Sequence, residues 1–235
     1  IFSSSLYLIG SSNNSFNNMT LNTNPDTGIQ VSTGSNNQFS NSTINGTTYS
    51  AIEILDRDNN FTNMTIRTTS GYDISIAGNG TRLTDMPHMG NYTINTNGAL
   101  VIIESSGKGE IKFLAAINGS GANLTDDIRI GNNSATVLSN NNIGLNRSAN
   151  VTLYGTPGAG ITSPELKRDG ATCPAGICYN FTALTAATVI FNVSYWTNYS
   201  IRAQGAINPN VTLLSPTNNT TTANSLVYFV ADFVD

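Results

Sequence analysis

The chain has 235 residues, of which 10% are charged; its net charge is −4, and Lys and Arg together number 10. So few cations exclude a surface built for nucleic acid or anionic lipid, while the length suits one large all-β unit or two to three smaller domains. Polarity comes instead from Asn, Thr and Ser, whose side chains compete with helical backbone hydrogen bonds, so the composition predicts an all-β chain.

The opening stretch, "IFSSSLYLIG", has no initiator Met, no basic n-region and too many serines for a signal-peptide core. It reads as the start of a mature or trimmed chain. No apolar run reaches the roughly 18 residues that cross a bilayer, so no membrane-spanning segment is expected.

From Leu6 the chain repeats itself. Phe16, Phe39, Phe61 and Leu83 recur at steps of 23, 22 and 22, each followed three residues later by Met19, Ser42, Met64 or Met86. The alternating pairs Leu6/Leu8, Ile29/Val31, Ile52/Ile54 and Ile74/Ile76 keep the same step, as do Leu21, Ile44 and Ile66, with His88 in the fourth slot. Segments with two or three inward side chains cannot bury a core alone, so successive units must stack. A turn of 22–23 residues suits a three-faced, right-handed parallel β-helix. The six-residue period of a left-handed one and the L-x-x-L-x-L spacing of leucine-rich repeats are both absent.

Asparagine follows the same period. Asn14, Asn37 and Asn59 align two residues before the inward Phe, where stacked amides can satisfy one another. Asn18, Asn41 and Asn63 align as well, and all three are glycosylation sequons. The expectation is that the Asn14 column is structural, while the Asn18 column lies at an exposed bend open to glycosylation.

The lines "NNSFNNMTL", "NNQFSNSTI" and "NNFTNMTI" resemble the parallel β-helix repeats of carbohydrate-binding and sugar-hydrolase-type proteins of archaeal and bacterial surfaces. The resemblance covers residues 4 to 88 and implies a scaffold; it specifies no activity.

Beyond His88 the register loosens. "GALVIIESSG" and "GEIKFLAAI" read as strands, and Asn123, Ile128 and Ile130 match Asn146, Val151 and Leu153 at a spacing of 23, so the helix is expected to continue irregularly to Tyr154. "GTPGAGITSP" then suits a boundary. The expected organisation is a β-helix over 1–155, a small antiparallel module over 163–205 and C-terminal strands over 206–235.

In the module, Cys173 and Cys178 flank "PAGI". A hairpin disulfide and half a metal site are the two readings; a metal would need two more soft ligands, and His88 is the only histidine. Val189, Phe191 and Val193 alternate as a strand. Phe191 to Ile201 resembles the "F-N-V-x-x-x-x-x-Y-S-I" pattern of a cysteine-hairpin module of archaeal surface proteins. The tail resembles the opening of an immunoglobulin-like surface domain, through Pro209, a Val211–Leu213 strand, the turn "SPTNNT" and a Val227–Phe229 strand.

The disulfide reading implies an oxidising, extracellular or cell-surface location, and 19 N-x-S/T triplets point the same way. Candidate glycosylation sites are Asn18, Asn41, Asn63, Asn91, Asn118, Asn132, Asn192 and Asn198.

No catalytic, cofactor or metal constellation stands out. "LDRDNN" places Asp56, Arg57 and Asp58 near Asp73 in sequence, as an acidic cleft would need. It also opens like a calcium loop, but Phe61 replaces the glycine and Arg67 the bidentate Glu. Asp126 and Asp127, as neighbours on a strand, would point to opposite faces. His88 lacks partners for base catalysis.

A β-helix ends in unpaired backbone groups. Leu6 and Leu8 sit close to one end, and Val227, Phe229 and Phe233 offer apolar strand residues near the other. The functional expectation is a non-catalytic surface filament or surface-layer subunit assembling head to tail as a homo-oligomer, with covalent N-glycans. The alternatives are a glycan-binding adhesin using Tyr49, Tyr72 and Tyr92, and a polysaccharide lyase or hydrolase built on Asp56, Asp58 and Asp73.

Overall fold

The computed structural model describes residues 4–22, 26–67, 70–155, 158 and 160–204, together with strands 210–215 and 230–234. The chain winds into a parallel β-solenoid of about four turns. The first turn is β1 (Ser4–Leu8), β2 (Ser15–Asn17) and β3 (Thr20–Asn22); the second is β4 (Thr27–Val31), β5 (Gln38–Ser40) and β6 (Thr43–Asn45). The third is β7 (Ser50–Ile54), β8 (Asn60–Thr62) and β9 (Thr65–Arg67), and the fourth retains only β10 (Tyr72–Ile76) and β11 (Thr81–Thr84).

The sequence register is the structural register. Leu6, Ile29, Ile52 and Ile74 lie side by side, as do Leu8, Val31, Ile54 and Ile76. Phe16 pairs with Phe39, Phe39 with Phe61, and Phe61 with Leu83. The three rings stack with centroids 5.0 and 4.7 Å apart and planes within 9° and 4° of parallel, which is the strand spacing expressed in side chains. Leu21, Ile44 and Ile66 complete the third face.

Two corners of each turn require left-handed backbone. Asn13, Asn36, Asp58 and Gly80 form one column, with φ of 61°, 58°, 58° and 75°. Asn18, Asn41, Asn63 and Asp85 form the other, at 56°, 50°, 48° and 47°. Asn and Asp tolerate this conformation better than other residues with a Cβ, which accounts for much of the asparagine. Between the corners runs the Asn14 column. Asn14 Nδ2 donates to Asn37 Oδ1 (2.9 Å), and Asn37 Nδ2 donates to Asn59 Oδ1 (3.0 Å). Asn37 and Asn59 are fully buried, so the amides form an internal ladder as expected.

On the outer face of the first sheet, Glu53 is only 9% exposed and accepts from Gln30 Nε2 at 2.6 Å. Burial pushes its carboxyl above the ordinary 4.5, and the Gln30 bond offsets this in part. A carboxyl raised in the fold favours the native state while protonated, below its unfolded value, and that contribution is lost as pH rises through the raised one. Glu53→Gln is therefore expected to raise the melting temperature at pH 7 while keeping the amide contact. The gain over wild type should shrink towards pH 4, which thermal melts at the two pH values would read directly.

Parallel pairing continues through β12 (Tyr92–Ala99), beside β10, and β13 (Val101–Ser105), beside β11. There it stops. β14 (Gly109–Phe113) returns antiparallel to β13, and β15 (Ile117–Gly121) antiparallel to β12. The expected continuation of the helix to Tyr154 is thus corrected to an end near Glu104. A one-turn helix, α1 (Leu124–Asp127), leads into β16 (Ile128–Gly131) and β17 (Ser134–Val137). A short 3-10 turn (Ile143–Leu145) precedes β18 (Ala149–Tyr154).

The 23-residue match of Asn123, Ile128 and Ile130 to Asn146, Val151 and Leu153 is not a stack. β16 pairs with β17, whereas β18 pairs with β14, and Asn123 caps α1. Asp126 and Asp127 accordingly sit on that helical turn and not on a strand.

The last described elements are β19 (Pro164–Arg168), β20 (Ala171–Thr172), β21 (Cys178–Asn180), β22 (Thr188–Val193), β23 (Asn198–Ala203), β24 (Asn210–Ser215) and β25 (Val230–Val234). The cystine-bearing strands are antiparallel, but they do not stand apart. β22 extends the sheet of β2, β5, β8, β11, β13, β14 and β18, and β23 joins β17 to β19. Val189, Phe191 and Val193 face inward and are fully buried. β24 and β25 pair only with each other among the described strands; the second strand lies at Val230–Val234, and Val227 and Phe229 are outside the described residues. No helix among the described residues is long and apolar enough to cross a membrane.

Candidate functional site: the open end of the solenoid

The first turn is built like the others, but among the described residues a neighbouring turn lies on one side only. β1, β2 and β3 pair with β4, β5 and β6, and no described strand lies on their outer edges. Leu6, Phe16, Met19 and Leu21 remain partly exposed, whereas their second-turn counterparts Ile29, Phe39, Ser42 and Ile44 are at most 1% exposed. Leu8 alone of the inward first-turn residues is buried, at 4%.

The open end also has a polarity. Asn37 Oδ1 accepts from the backbone N–H of Asn14 (3.1 Å) and from its Nδ2, and Asn59 Oδ1 accepts in the same way from Asn37. Each amide oxygen thus points towards the preceding turn. Asn14 Oδ1 is the last acceptor of the column, and no described donor reaches it. A covering layer must bring an N–H to that point, as one more turn of the same kind would.

At the C-terminal end of the parallel stack, β14 and β15 occupy the edges of β13 and β12. The expectation of an open end is therefore corrected at this side of the stack. Phe233 lies on β25 opposite Val211.

The other residues singled out by sequence are dispersed. Asp56 accepts from the Gly34 N–H (2.6 Å) and the Arg57 N–H (2.8 Å), and these two bonds hold its carboxyl below the usual range. Asp58 occupies a left-handed corner, and Asp73, 6% exposed, accepts from the Gly90 N–H at 2.6 Å. Each carboxylate serves a bend, and the three do not converge on a cleft. His88 is exposed, and Met89 turns into the core instead. Tyr49 and Tyr72 are exposed, but Tyr92 is fully buried. Its hydroxyl donates to Asp127 Oδ2 (2.7 Å), and desolvation followed by that bond raises its pKa.

Cys173 and Cys178 are joined, with Cα atoms 6.1 Å apart. Asn18, Asn41 and Asn63 lie exposed at the second corner, where Asn63 Nδ2 donates to Asn41 Oδ1 (2.9 Å). Asn91 and Asn132 are exposed as well. Asn118, Asn192 and Asn198 are half-buried, and their amides bond to Thr96 O, to Ala149 O and Asn150 Oδ1, and to the Thr136 hydroxyl.

Sequence reading missed one cluster. Glu104 and Glu110 face each other across the β13–β14 hairpin, and Arg82 Nη1 bridges them at 2.6 and 2.7 Å. The signal was available, since the two Glu flank the turn "SSGKG" symmetrically. The guanidinium offsets two like charges set directly opposite on a sheet.

The class defined by this architecture is a disulfide-bonded β-solenoid of about four turns, followed by antiparallel sheets. No protein family matches the chain, and no curated protein or solved structure matches it.

Proposed function

We propose that the chain is a non-catalytic subunit of an extracellular filament or surface layer, assembling head to tail through β-strand contacts. The open first turn carries this reading. It combines three strand edges that no described strand pairs, apolar residues only partly buried among the described residues, and an amide column whose last acceptor has no described donor. Two such ends meeting face to face would oppose Asn14 acceptors, which disfavours an isologous dimer. A heterologous contact, which propagates instead of closing, satisfies the column. The β24–β25 hairpin is the element proposed to cover a neighbour's first turn, because a two-stranded sheet is marginally stable alone and gains from a third strand. The disulfide suits an oxidising exterior, and glycans at Asn18, Asn41 and Asn63 would decorate one corner without touching the core.

Sedimentation velocity over a range of protein concentrations tests the reading, with Met19→Lys as the end-face variant. Wild type is expected to form larger species as concentration rises. The variant, whose charge would have to be buried in the contact, should need at least about tenfold more protein. A single monomeric species at all concentrations, or variant assembly equal to wild type, would sink the idea.

A further inference from the structure

A polar cavity of about 460 Å³ opens where β17 ends, β19 turns and β23 begins. Its walls include the Leu138–Asn141 loop, Arg168 with Asp169, and Trp196 to Asn198.

Trp196 is fixed by its surroundings. Its ring meets Tyr199 edge-on and Phe113 at a tilt, its backbone N–H donates to Asn146 Oδ1 (2.7 Å), and its carbonyl accepts from the Ser139 hydroxyl (2.9 Å). The residue is 3% exposed, yet its indole N–H reaches no acceptor among the described residues. Arg168 Nε is buried and unpartnered in the same way, and the guanidinium makes no ion pair among the described residues. Buried N–H groups are nearly always paired, so two unpaired ones in the wall of one cavity point to an oxygen-bearing occupant.

The rest of the lining defines what that occupant is. Arg168 and Asp169 are the only charged side chains in it and they balance, which favours neither an anion nor a cation. Asp169 Oδ1 accepts from the Thr197 hydroxyl and the Asn198 N–H, while no described donor reaches Oδ2. Asn140 and Asn141 are exposed, and their side-chain amides make no hydrogen bond among the described residues, so each presents a free donor and a free acceptor. Leu138, 36% exposed, adds a small apolar patch. Donors mixed with acceptors, without net charge, complement vicinal hydroxyls, each of which both donates and accepts. The volume suits a small-molecule site, and by the scale on which about 150 Å³ holds benzene it admits a sugar ring of about a dozen heavy atoms.

We propose that this cavity binds a neutral hexopyranose unit, with hydroxyls shared among Arg168, Asp169, Asn140 and Asn141 and a C–H face on Leu138. The site goes beyond the structural role proposed above and does not depend on assembly.

The chain has one tryptophan, so the indole N–H resonance reports on this cavity alone. Proton–nitrogen NMR titration of the full chain with glucose, galactose and mannose tests the assignment, with cyclohexanol as a ring of similar size that lacks vicinal hydroxyls. The expected result is a saturable shift of the Trp196 indole cross-peak with at least one hexose and none with cyclohexanol. Arg168→Met, and Asn140→Ala combined with Asn141→Ala, should each weaken that binding at least about fivefold. No saturable shift with any hexose, an equal response to cyclohexanol, or unchanged affinity in the double variant overturns the proposal and leaves the cavity to water. The double variant alters only exposed side chains, so it decides the matter even where Arg168→Met does not fold.

Discussion

Asn59→Ala is expected to destabilise the protein by about 3–4 kcal/mol, a large effect for a polar side chain. Asn59 Oδ1 accepts both the N–H and the Nδ2 of Asn37, and its own Nδ2 lies within 3.1 Å of the carbonyls of Gly34, Asp56 and Arg57. Truncation leaves these groups buried without partners, and each costs about 1–3 kcal/mol unless water enters. Asn59→Thr should recover part of the loss, because the next turn already uses this solution. Thr81 holds the equivalent position, is fully buried, and donates to Gly78 O at 2.9 Å. Urea denaturation of the three proteins measures the series. Equal stability of Asn59→Ala and wild type would mean that the amide column contributes no net stability.

Phe39→Ala should cost a comparable or larger amount, about 3–5 kcal/mol, with the same measurement as its check. Phe39 is 1% exposed and lies between two rings, so its removal opens a cavity and breaks both stacking contacts. Phe39→Leu should lose much less, since Leu83 fills the same column on the fourth turn beside Phe61. The same change at Phe16, which is only partly buried, should cost less than at Phe39. A loss at Phe16 as large as at Phe39 would imply that the first turn is covered after all.

The solenoid was legible because its contacts repeat in sequence. Ile29 meets Ile52 and Phe39 meets Phe61 at the interval that separates them along the chain, so aligning the chain on itself reads out the pairing. The Asn14 column was legible for the same reason. The left-handed corners at Asn13, Asn36 and Asp58 were not read, because Asn is frequent enough here to hide a conformational requirement. Past Glu104 the logic fails. Alternation marks Ala149–Tyr154 as a strand, but nothing local says that it lies between Gly109–Phe113 and Thr188–Val193. The spacing that matched Asn123 with Asn146 is a coincidence of an Asn-rich chain. The loss of the third wall after Arg67 could not be read, since sequence patterns report only the walls that continue.

Negative-stain microscopy of the purified chain at high concentration tests head-to-tail assembly most directly. The account predicts uniform, unbranched fibres whose axial repeat is set by one subunit. Isolated particles alone, under conditions where the protein is folded and its disulfide intact, would contradict it.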